Sequence, residues 1–174
     1  MSESLSKTIV SPGHIFVSAE ALQMQSVVTY GVIVTVYNPL AKTGGLAHYL
    51  YPRRRKDRPS TALYAAPAIV TVVDKVRAAA PEADLEVHLY GAALEVESDE
   101  RAKLLVEDNT KVALEILEKQ KASPHSTDFG GHRGRKVLFN AHSGDILVAK
   151  VANLRKEDWL ISADGPVMRP KEWA

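Results

Sequence analysis

The sequence predicts an α+β domain, on three observations. Runs rich in β-branched and aromatic residues interleave with two segments of helical periodicity, without a regular βαβ alternation. At least two strand pairs are joined by tight turns, which demand antiparallel pairing. The chain has 174 residues, 45% of them hydrophobic and 25% charged, enough for one domain with a real core. The expected division is a single domain over 1–151 and a C-terminal extension over 152–174 that packs on it or frays at its end.

Each element follows from local pattern. Ser26 to Tyr37, SVVTYGVIVTVY, reads as one long, largely buried strand that ends at the turn Asn38-Pro39. Gly44-Gly45 closes that turn, and Leu46 to Pro52 is the returning strand of a hairpin, with Pro52 ending it. His48 is therefore placed on a strand. After the charged loop 53–60, the segment Thr61 to Ala80 carries Leu63, Ile69, Val70, Val73 and Val76 on one helical face, and Pro67 argues that regular helix begins near it. Leu85, Val87 and Leu89 alternate with Glu86, His88 and Tyr90 in a half-buried strand stopping at Gly91. A second helix is expected from about Val106 to Gln120. Arg135 to Asn140, then Ala141-His142-Ser143-Gly144, then Asp145 to Val151 reads as a second hairpin. The tail, with Trp159 and Trp173, is expected to pack partly on the domain.

Composition excludes several functions. Lys and Arg total 22 against 21 Asp and Glu, so a net charge of +1 provides no global field for nucleic acid. The opening residues MSESLSKTIVSPG carry no apolar targeting core, and apolar stretches such as Val32 to Val34 and Ala65 to Val70 are too short to span a bilayer. No membrane insertion is expected and a cytoplasmic location is. The absence of cysteine removes disulfides, thiolate metal sites and every thiol nucleophile. His125, His132 and His142 fall close together in sequence, but at spacings that suit no metal site. Neither metal nor cofactor is expected.

Three blocks carry a more specific signal: VTVYNPLAKTGGLAHYLYP (Val34 to Pro52), LEVHLYGAAL (Leu85 to Leu94) and TDFGGHRGRKVLFNAHSGDILV (Thr127 to Val148). In content and order they resemble the chemoreceptor glutamine deamidase (CheD) family, with coverage from about Gly13 to Val151. Tyr64-Ala65 and Asn109, read as opening the second helix, also fall where that family has such residues. The resemblance implies a layered sandwich of mainly antiparallel or mixed sheet with two or three helices on one side. It also implies Cys-His acyl chemistry on the side-chain amide of a receptor glutamine, with a threonine orienting the histidine.

Carried onto this chain through Asn38-Pro39 and Gly45, the family's histidine falls on His48 and its nucleophilic cysteine on Gly31. The two are 17 positions apart, the spacing the family itself has. The orienting threonine falls on Gln25, and the Gly-Ser before the cysteine becomes Thr29-Tyr30. His48 reads either as a retained base or as a half-buried histidine held by a backbone hydrogen bond. Gly31 reads as a vacated nucleophile slot, as a bulge glycine, or as both. Thr29, Tyr30 and Ser26 are the hydroxyls within reach, Thr29 being the weak substitute nucleophile, since it shares a strand face with position 31. Tyr30, Asp128, Gly130, Gly131, Arg53 and Arg54 are candidate binding residues. For the glycines alone a turn at positive φ is the simpler account, and the basic run from Arg53 to Arg58 reads either as a solvated loop or as a docking surface for acidic helices.

The reading that follows is a CheD-like protein of the chemotaxis system that keeps the fold and a docking surface but does not deamidate. Its alternative is an amidohydrolase with a non-cysteine nucleophile. The resemblance implies as partners the cytoplasmic helices of chemoreceptors, a CheC-type phosphatase, or both. If the pocket persists, the imidazole of His48 should face the backbone of Gly31 across an open space.

Overall fold

The structure, a computed structural model, describes residues 5–152. Most of the tail, including Trp159 and Trp173, lies outside the described residues. Nine strands and two helices form three layers. A five-stranded sheet occupies the middle, with β2 (Ile15–Ser18), β5 (Thr43–Tyr49), β4 (Val32–Asn38), β6 (Glu86–Gly91) and β7 (Ser126–Phe129) in that order across it. A four-stranded sheet of β1 (Ser6–Ile9), β3 (Leu22–Val28), β8 (Gly134–Asn140) and β9 (Ile146–Val151) covers one face. Helices α1 (Ala65–Arg77) and α2 (Glu100–Lys119) cover the other. Pairing is antiparallel except for the parallel pairs β1–β3 and β6–β7, so the α+β sandwich expected from the sequence is the fold observed.

The middle sheet explains why its central strands lack alternation: every residue of β4 and β5 is buried. One face packs on α1 and α2 through Val32, Val34, Val36, Ala47 and Tyr49. The other packs on the second sheet through Ile33, Tyr37 and Leu46. A strand covered on both faces reads as continuous apolar sequence.

The run from Ser26 to Tyr37 is not one strand. It divides at Thr29-Tyr30-Gly31, with β3 pairing to β1 and β8 in the outer sheet and β4 to β5 and β6 in the middle one. The β-branched residues on both sides of the break hide it, because each half is a good strand in its own right. Gly44 and Gly45, read as part of the turn, lie inside β5, opposite Tyr37 and Val36.

Helix α1 starts at Ala65, so Pro67 sits in its first turn, where a missing N–H costs nothing. Helix α2 starts earlier than its periodicity suggests. Asp99 caps it by accepting from the Ala102 N–H at 2.9 Å, and Ala102, Leu105 and Val106 are already buried. The charged residues of the first turns obscure that face. Asn109 consequently lies mid-helix and does not open α2. Strands β1, β2 and β7, which the sequence did not disclose, are sheet edges of four residues each, too short for a period to register.

Candidate functional site

The three-residue crossover between the sheets, Thr29-Tyr30-Gly31, is where the resemblance places the lost nucleophile. All three of its carbonyls are engaged. The Thr29 carbonyl accepts from Ala93 N–H and the Gly31 carbonyl from Ala92 N–H, both at 2.8 Å. From α2, the amide of Asn109 donates to the Tyr30 carbonyl at 3.0 Å and to the Leu50 carbonyl at 2.9 Å. Tyr49 in turn donates its hydroxyl to the Asn109 carbonyl at 2.7 Å. Burial raises the Tyr49 hydroxyl well above its usual range, which keeps it a neutral donor. One wholly buried asparagine thus ties the crossover to the end of β5.

Gly31 has no space for a side chain. A Cβ built there would collide with the Tyr49 carbonyl oxygen and would stand 3.1 Å from Leu50 Cδ2. Gly91 closes the other side: its φ is +128°, and a Cβ on it would collide with the Gly31 carbonyl oxygen. The glycines let three backbones meet at this point. Thr29 and Tyr30 are buried beside it, at 4% and 5% exposure. The Tyr30 ring joins Ala92, Leu105 and Val106 in a small apolar cluster, with its hydroxyl 3.2 Å from Ser98 Oγ. Burial, ahead of every other cause, raises the Tyr30 pKa.

His48 sits on β5 directly opposite Ile33 and is 2% exposed. Its Nδ1 lies 2.9 Å from Ser26 Oγ on β3, across the space between the sheets. Ser26 Oγ also donates to the Val10 carbonyl at 2.6 Å. A hydroxyl has one proton. With that proton on Val10, Ser26 accepts from His48, which assigns the ring proton to Nδ1. Burial drives the His48 pKa down to about 3, opposed only in part by hydrogen bonding to the Val10 backbone. The imidazole is therefore neutral at physiological pH and enclosed. By strand alternation it shares a face with position 31, and both positions are buried.

Gln25 points the other way. It pairs with Leu138 and Ile9 on the outward face of the four-stranded sheet, whereas Ser26 faces inward. The residue that meets His48 is thus the neighbour of the carried-over threonine position.

Asp128, Gly130 and Gly131 come together, apart from His48, in a cleft of about 420 Å³ that Phe129, His132, Arg133, Arg135 and Lys150 complete. Arg135 organises it. Though 2% exposed, its guanidinium donates to both Asp128 carboxylate oxygens, at 3.3 and 2.8 Å, and to the Gly130 and Arg133 carbonyls, at 2.6 and 2.7 Å. The hydrogen bonds from Arg135 hold the Asp128 carboxyl below its ordinary pKa. An arginine at an inward position of β8, in phase with Val137 and Phe139, is the sequence signal that could have marked this site. The basic loop is largely self-satisfied: Arg53 pairs with Asp108 at 3.2 Å and Arg54 donates to the Arg58 carbonyl at 2.6 Å. His125, His132 and His142 are not gathered together. Among the described residues, no group of three or more acidic, histidine or cysteine side chains could hold a metal ion.

The three-layer α+β sandwich defines the class of fold, and comparison with known proteins supplies its family. The family model for CheD chemotactic sensory transduction matches residues 50–150. A probable chemoreceptor glutamine deamidase CheD 1 of Anaeromyxobacter dehalogenans is 32% identical over 80% of this chain and 81% of its own length. Probable chemoreceptor glutamine deamidases CheD of Sulfurimonas denitrificans and Trichlorobacter lovleyi are 27% and 26% identical over 83% of this chain, and 94% and 90% of theirs. The chain belongs to the CheD family.

Proposed function

We propose that this CheD-family chain is a non-catalytic protein of the chemotaxis system, working in the cytoplasm by binding the helices of chemoreceptors, a CheC-type phosphatase, or both. The observation that carries this reading is the state of position 31. No cysteine occurs anywhere in the 174 residues, and the residue at the nucleophile's place is a glycine with no room for a Cβ. Thiol acyl transfer needs a sulfur atom at the amide carbon, and none is available. The names of the relatives support a chemoreceptor as the binding partner. Among the described residues no helix is long and apolar enough to cross a membrane.

The contact between Ser26 and His48 favours a second reading, an amidohydrolase with a hydroxyl nucleophile. Its geometry argues against that use. The hydroxyl proton is already donated to Val10, so the imidazole has nothing to abstract, and Ser26 is 1% exposed. Thr29, the weaker substitute, is buried as well.

The test incubates the purified protein with receptor cytoplasmic fragments and measures released ammonia. No release above buffer is expected. Sustained release that disappears in His48→Ala would establish the second reading instead. A pull-down with receptor fragments and a CheC-type phosphatase should retain at least one of them; retention of neither would remove the docking role.

A further inference from the structure

We infer that the cleft around Arg135 is a carboxylate-recognising site, which docks glutamate rather than glutamine side chains on a partner's helix. This rests on the docking reading above and names its chemistry. Three cationic residues, the buried Arg135 and the exposed Arg133 and Lys150, line the cleft against one carboxylate, Asp128. Asp128 and Arg135 neutralise each other through a two-point pair. Arg133 and Lys150 therefore remain as the uncompensated charge, and neither makes an ion pair within 4.0 Å among the described residues.

The site is held in shape before any ligand arrives. Lys150 stands opposite Arg135 in the β8–β9 register, and the Arg135 guanidinium fixes the carbonyls of Gly130 and Arg133. The cleft is thus braced from two strands and one turn, which lowers the ordering cost of binding. Gly130 and Gly131 have φ of +84° and +71°, and a Cβ on either would meet nothing within 4 Å. The turn therefore leaves its face open to a ligand. Two basic groups around an open, braced turn discriminate by charge: a carboxylate gains ion pairing that a neutral amide cannot. A CheD protein without deamidase activity would then sense the deamidated state of a helix rather than create it.

The experiment titrates the full chain with two synthetic helical peptides, identical except for glutamate or glutamine on one face, at low and high salt. Binding of the glutamate peptide should be roughly fivefold to tenfold tighter at low salt, as expected for two exposed ion pairs, and the preference should shrink as salt screens it. The double variant Arg133→Ala, Lys150→Ala changes only exposed side chains, so it should keep the wild-type melting temperature while losing the preference. Equal affinity for the two peptides, no binding of either, or a preference that survives in the double variant would each overturn the inference. Ammonia release from the glutamine peptide, monitored in the same samples, would instead refute the non-catalytic reading.

Discussion

At the scale of single residues, Gly31 and His48 carry the argument. Gly31→Cys supplies the missing sulfur, but its Cβ must displace the Tyr49 carbonyl. Overpacking at a close backbone contact costs roughly 1–3 kcal/mol. The variant is expected to melt at lower temperature than the parent and still release no ammonia; a well-folded Gly31→Cys protein with deamidase activity would show that the site opens readily. His48 offers a pH test. Its folded pKa of about 3 lies below the ordinary 6.5, so on acidification the unfolded chain takes up a proton that the folded one refuses. Its contribution to stability is complete above pH 6.5 and is lost as pH falls toward 3, at up to about 1.4 kcal/mol per pH unit. Asp128, lowered from 3.8, loses its contribution only below that value, so the two effects separate. Denaturant unfolding from pH 7 to 4 should therefore show a slope that flattens in His48→Gln. An unchanged slope in that variant would mean that His48 is not the group responsible.

At the scale of elements, the crossover depends on α2 more than on its own strands. Asn109 supplies two hydrogen bonds, one to the Tyr30 carbonyl just before Gly31 and one to the Leu50 carbonyl just after β5. Losing both leaves buried acceptors unpaired, at about 1–3 kcal/mol. Asn109→Ala should destabilise by that amount, measured by denaturant midpoint at constant slope, and Asn109→Leu should not recover it. The elements also show what a sequence makes legible. The strands around Val34 and Leu46 were readable as continuous β-branched and apolar runs, the strand around Leu89 by its alternation, and α1 and the body of α2 by helical period. The split at Thr29-Tyr30-Gly31 was not readable: both flanking strands are apolar, and only the pairing partners, far away in sequence, tell that they belong to different sheets. The edge strands escaped because four residues set no period. At the site, the family resemblance singled out Gly31 and His48, whereas the Ser26 contact depends on which face of β3 looks inward. Arg135 was visible as part of a motif, but its role became clear only once β8 was seen to turn it toward Asp128.

At the scale of the whole molecule, the three-layer arrangement encloses the crossover on every side. The crossover lies between the two sheets and under α2, so each surrounding layer contributes to its closure. Val32, Ile33 and Val34 beyond it are fully buried, so the close backbone contact at Gly31 coexists with a complete core. The Arg135 cleft is organised separately, by β8, β9 and the turn after β7. The proposed absence of catalysis and the proposed docking role therefore rest on different parts of the scaffold and are tested separately.

The most direct measurement is mass spectrometry of receptor-fragment glutamines after prolonged incubation with excess wild-type protein. The glutamine-to-glutamate fraction should equal that of the protein-free control. Conversion at defined glutamines that rises with protein concentration and stops in His48→Ala would contradict the account.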